Sequence, residues 1–111
     1  MNSEGLNYTE RDGRDAERET NRMSLDEFRT QLDTIDAQLV TLLSQRAQIV
    51  LQVADYKRQH NLPVYVPERE TAIITRVRAM NPGPLSGEAV ARIYQVLIEE
   101  MRKFEDERIA H

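Results

Sequence analysis

Residues 24–58 read SLDEFRTQLDTIDAQLVTLLSQRAQIVLQVADYKR, without a single Gly or Pro. Phe28, Leu32, Ile35, Leu39, Leu42, Arg46, Ile49, Val53 and Tyr56 recur alternately four and three residues apart, the spacing of a coiled-coil seam. One long helix is expected. Every seam position is apolar except Arg46, and a cation on such a seam must be paired or must meet an anionic ligand, because burying it alone is prohibitive. A second column one residue further on, through Arg29, Asp36, Leu43, Val50 and Lys57, puts Arg46 and Lys57 on the same side of the helix. Their Cα atoms then stand roughly 16 Å apart along the axis, with Val50 and Val53 between them. Two long cationic side chains over that apolar floor can grip one small dianion. The competing reading makes both of them surface cations whose stems snorkel over the core edge.

The ends of the helix are marked. Ser24 with Glu27 forms a capping box, and Met23 with Phe28 has the spacing of a hydrophobic staple. At the other end, Pro63 removes a donor and biases Leu62 away from helical dihedrals. A helix from about residue 25 to about residue 59 follows. Residues 1–23 mix charges of both signs with little apolar content, and are expected to be a disordered tail without chemistry, with room for a brief helix. A single helical domain is expected over residues 24–108.

Beyond Pro63, Val64-Tyr65-Val66 is an extended connector and Pro67 opens a second helix reaching about Met80. Glu68 and Glu70 suit its first turn, and Ile73, Ile74, Val77 and Met80 give it an apolar face. Extending that face backward reaches Glu70 and Arg69, which either look inward or form an ordinary solvated pair. Asn81-Pro82-Gly83-Pro84 is a strong turn signal. A third helix, capped by Ser86, runs to about residue 107 with Val90, Tyr94, Leu97, Met101 and Phe104 as its seam, widened by Ile93 and Ile98. Glu105 falls at the seam's edge, where periodicity alone makes it a solvated residue. His60 and His111 have no partners at ligand spacing, so no metal site is assigned.

Composition narrows the function. With no Cys there is neither a disulfide framework nor thiol chemistry, and no apolar run marks a signal peptide or a membrane span, so a cytoplasmic location is the default expectation. A net charge of -4 offers no basic excess for nucleic acid, so any bound anion should be small and met by a few local cations. The first helix is roughly 50 Å long, and the two shorter helices together only match it, so one chain leaves half the seam exposed. An intertwined helical homodimer is expected. Arg29 and Arg46 stand roughly 25 Å apart on one helix, but in an antiparallel pair Arg29 of one chain can reach the pocket around Arg46 of the other.

Arg29, Arg46, Lys57 and the Arg69-Glu70 pair, followed by RIYQVLIEEMRKFE, resemble the all-helical chorismate mutases. LPVYVPERE and NPGPLSGEAVARIY are especially similar to the mutase heads fused to prephenate dehydratase. The resemblance covers about residues 25–106, and with no dehydratase domain following, the free-standing form is expected.

The resemblance implies that Arg46, together with Arg29 from the partner chain, binds the two carboxylates of chorismate, with Arg69 lining the pocket. It further implies that Lys57 bonds the ether oxygen and a carboxylate, that Glu70 holds the ring hydroxyl, and that Glu105 also faces the ether oxygen. Val53, Ile73 and Ile98 match apolar wall positions. Two positions depart from the pattern: Val66 replaces an aspartate common in the connector, and Met101 stands where some members carry Ser. Chorismate-to-prephenate conversion is intramolecular, so no cofactor is expected. Isochorismate pyruvate lyase on the same fold, or a non-catalytic helical dimer acting as an adaptor, are the alternative readings.

Overall fold

The computed structural model describes the backbone of residues 13–110 and the side chains of residues 24–110. It is all-α, with α1 at Gly13–Gln59, α2 at Pro67–Met80 and α3 at Gly87–Ala110, and no strand among the described residues. The start of α1 corrects the sequence expectation. Residues 13–23 are helical, so Ser24 lies inside the helix and has no unsatisfied helix-start N–H groups to cap. The physical reason is local: from Arg14 to Met23 there is neither Gly nor Pro, and Arg, Glu and Ala are strong helix formers. Residues 1–12 of the expected disordered tail, and the Met23 side chain of the expected staple, lie outside the described residues.

The stop of α1 is sharper than the proline alone requires. Asn61 takes a left-handed φ of 56°, Leu62 N–H donates to Lys57 O at 2.8 Å, and Asn61 N–H reaches Arg58 O at 3.4 Å. This is a Schellman closure with asparagine in the position usually held by glycine, and it satisfies carbonyls the helix end would otherwise strand. Pro67 then starts α2 with dihedrals already set, while Val66 O accepts from Arg69 and Glu70 N–H at 3.0 and 3.2 Å.

Between α2 and α3, Asn81 organises the reversal: its Oδ1 accepts from Gly83 N–H at 3.2 Å and its Nδ2 donates to Leu85 O at 2.6 Å. Gly83 has a φ of 79°, the conformation glycine adopts without strain. Ser86 Oγ then accepts from Ala89 N–H at 3.0 Å, capping α3 as the sequence implies.

The chain falls into two units, Met1–Leu42 and Leu43–His111, and the domain expected over residues 24–108 spans both. In the first, the described part of α1 carries Leu25, Phe28, Leu32, Ile35, Leu39 and Leu42, all exposed. In the second, α2 packs on α3 through Ile73, Val77 and Ile98, with Ile74, Val90 and Tyr94 against them. There α1 buries Ala54 completely, with Ala47, Val50 and Leu51 half-buried, while the seam residues Ile49, Val53 and Tyr56 stay exposed. The face α1 uses within its own chain therefore lies beside the coiled-coil seam. No helix of the described residues is long and apolar enough to cross a membrane.

Arg108 fastens the end of α3 to α1, donating from Nε and Nη2 to the two oxygens of Asp55 at 3.2 Å each. The hydrogen bonds from Arg108 hold the Asp55 carboxyl below its ordinary value of 3.8. A carboxyl lowered on folding stabilises the fold above its ordinary value, and that contribution fades as pH falls through the lowered one. Urea unfolding of parent and Asp55→Asn should therefore differ at neutral pH and converge as the pH drops below 3.8.

Candidate active site

Helical spacing collects the candidate residues. On α1, Arg46, Ile49, Val50, Val53 and Lys57 repeat at three- and four-residue steps and share a face; on α3, Ile98, Met101, Arg102 and Glu105 do the same. Together with Val64, Val66, Arg69, Glu70 and Ile73 they line one cavity of about 510 Å³ in the second unit. Every site residue named from the sequence is here except Arg29. Arg29 is exposed in the first unit and is not among the lining residues.

The walls are mostly aliphatic, and the polar groups are four cations against two carboxylates. Lys57 sits at the centre of the bonding. Its Nζ donates to Val64 O at 2.9 Å and lies 2.8 Å from Glu105 Oε2. The second contact is an ion pair by distance, but its angle falls short of a hydrogen bond, so the buried Oε2 has no aligned donor. An ammonium has three donors, so with one on Val64 O and Glu105 drawing on a second by charge, Lys57 has donor capacity left for a ligand. Glu105 is only 8% exposed, which corrects the expectation of a solvated edge residue. Its burial comes from a neighbour outside α3: Lys57 meets it from α1, a contact that the periodicity of α3 does not encode.

Glu70 is paired with Arg102, whose Nε donates to Oε2 at 2.9 Å. Both carboxylates of the cavity are thus matched to a cation. Among the described residues Arg46 and Arg69 have no ion-pair partner, so two guanidiniums remain uncommitted beside an apolar floor. Such a site suits a small anion with a hydrocarbon body, since a guanidinium can bond a carboxylate in bidentate fashion. No group of three or more His, Cys, Asp or Glu is placed to hold a metal among the described residues. Arg46 and Lys57 are both half-buried and line the cavity.

Sequence reasoning missed Arg102 and the Val64 carbonyl. The carbonyl belongs to the backbone and has no side-chain signal. Arg102 did have one: it lies four residues after Ile98 and three before Glu105, on the face both occupy.

A family model described as chorismate mutase type II matches residues 28–106. The chain is 40% identical over 72 residues to the bifunctional chorismate mutase/prephenate dehydratase of Neisseria gonorrhoeae, covering 65% of this chain and 19% of that protein. It spans about a fifth of the length of such bifunctional relatives. To a chorismate mutase of Methanocaldococcus jannaschii it is 34% identical over 76 residues, 68% of this chain and 77% of that one. A Helicobacter pylori chorismate mutase crystallised in complex with prephenate superposes with a TM-score of 0.73 at 29% identity, over 80% of this chain and 97% of that one.

The Lys57–Glu105 pair makes a stability prediction independent of any reaction. Its side chains are 17% and 10% exposed, so removing one charge strands the other in the cleft. Lys57→Met should destabilise the protein by about 3 kcal/mol in chemical denaturation. Adding Glu105→Gln should recover most of that loss; a double variant no more stable than Lys57→Met would contradict the pairing.

Proposed function

The chain belongs to the type II chorismate mutase family, and from that premise we propose that it rearranges chorismate to prephenate at the cavity around Lys57. The observation that carries the reading is the cavity itself: an aliphatic floor with two uncommitted guanidiniums and a free ammonium donor. Chorismate is a dianion of that size and shape class. Its rearrangement is intramolecular, so the protein's task is to hold the flexible enolpyruvyl ether over the ring and to stabilise negative charge growing on the breaking ether oxygen. That the Helicobacter pylori relative is a complex with prephenate supports the same product here.

In this mechanism Arg46 anchors one carboxylate and Arg69 lines its path, while Val53, Ile73, Ile98, Val66 and Met101 pack against the ring and exclude water. Lys57 bonds the ether oxygen with its remaining N–H. Glu105 holds the Lys57 ammonium beside that oxygen through their 2.8 Å ion pair. Glu70 accepts from the ring hydroxyl. No cofactor has a part in the reaction, and a cytoplasmic location fits the chain's composition.

The second carboxylate anchor is Arg29 of the partner subunit in an intertwined homodimer. Phe28, Leu32, Ile35, Leu39, Leu42, Ile49, Val53 and Tyr56 are between 39% and 59% exposed, an apolar row that an antiparallel second copy would cover.

The test follows chorismate spectrophotometrically. Parent protein should consume it with formation of prephenate and without release of pyruvate; pyruvate release from isochorismate would identify a lyase instead. Lys57→Ala should lower kcat by about 100-fold and change KM much less, because the charge it meets develops only in the transition state. A variant that loses affinity and keeps kcat would contradict the assignment of Lys57.

A further inference from the structure

The cavity holds two carboxylates, and they are held differently. Glu105 faces Lys57, a group with work to do on the ligand. Glu70 instead takes a bond from Arg102, which is fixed on its other side as well: its guanidinium carbon lies 4.5 Å from the centroid of the Tyr65 ring. Tyr65 belongs to the connector, Glu70 to the first turn of α2 and Arg102 to α3, so the clamp ties three segments at one edge of the cavity. A guanidinium caught between an aromatic face and a carboxylate has few rotamers left, and the carboxylate it grips inherits that order. Glu70 Oε2 is occupied in this way, while Oε1 has no partner among the described residues.

The clamp has a second consequence. Arg69, adjacent to Glu70 in sequence, lines the same cavity and is uncommitted. A free Glu70 carboxylate would compete with the carboxylates of a ligand for Arg69 and Arg46. Pairing it with Arg102 keeps those guanidiniums available.

We infer that Arg102 is a positioning residue which, by tying Glu70 Oε2, presents Oε1 as a single oriented acceptor for the ring hydroxyl and so sets the preference for a hydroxylated ring. This rests on the reading of the cavity as a chorismate site. Hydroxyl recognition of this kind acts on ground state and transition state alike, so its loss belongs in KM rather than kcat.

Arg102→Leu, Arg102→Lys and Glu70→Gln should be compared with parent in chorismate turnover. Their inhibition by a stable bicyclic ether dicarboxylate, made with and without the ring hydroxyl, should be compared as well. Arg102→Leu should raise KM by about tenfold with kcat within about threefold, and shrink the affinity gap between the two inhibitors by about tenfold, the worth of one charge-assisted hydrogen bond. Arg102→Lys should restore part of both, and Arg102→Leu in the Glu70→Gln background should add little. An ion pair that only holds helices together would leave the inhibitor gap unchanged while lowering the melting temperature. That result in Arg102→Leu, with parent active, overturns the inference and leaves the chorismate reading intact. A parent without chorismate turnover overturns both.

Discussion

The ammonium of Lys57, 2.8 Å from a carboxylate oxygen of Glu105 in a largely aliphatic cleft, is the contact on which the rest of the site depends. Two opposite charges withdrawn from water require each other, and here α1 supplies one and α3 the other. α1 must stop just after Lys57, which the left-handed Asn61 and the bond from Leu62 N–H to Lys57 O accomplish. The connector must return its Val64 carbonyl to the same ammonium. α3 must arrive with Glu105 on its inner face, which the Asn81 turn, the Ser86 cap and the α2–α3 core arrange. With Glu70 matched to Arg102 in the same way, both carboxylates of the cavity are paired, and Arg46 and Arg69 line it without an ion-pair partner among the described residues.

Much of this was legible in the sequence, for reasons that can be named. Helix two and the cap of helix three follow from Pro67 and Ser86, local signals with local causes. The face that gathers Arg46 and Lys57 follows from helical periodicity, which needs no tertiary information. The resemblance to chorismate mutases supplied Arg69, Glu70 and Glu105 together, where periodicity alone left each ambiguous. What stayed hidden depends on neighbours. The burial of Glu105 needs Lys57, the significance of Arg102 needs both Glu70 and Tyr65, and the Ala47, Val50, Leu51 and Ala54 face of α1 is set by what it meets within the second unit. The early start of α1 was obscured differently, because charged residues rich in Arg and Glu read equally as a solvated tail and as a helix.

The seam that first defined α1 is the part of the chain that its own fold leaves uncovered. Phe28 is 57% exposed and Ile49 59%, while the residues α1 buries within its own chain lie beside that row. An apolar seam left over after a chain has folded is a surface for a second helix of the same periodicity, and a second copy supplies one. In the proposed homodimer the same step would deliver Arg29 to the cavity that holds Arg46, and oligomerisation and completion of the site would be one event.

The most direct measurement of that coupling mixes two defective proteins. Arg29→Ala and Arg46→Ala, each nearly inactive alone, are unfolded and refolded together at equal concentration. Random pairing makes about half of the dimers mixed, each with one site that has both arginines and one that has neither. About a quarter of the activity of refolded parent should return, whereas a mixture as inactive as its components, beside a parent that recovers, would mean that Arg29 and Arg46 do not meet across a dimer.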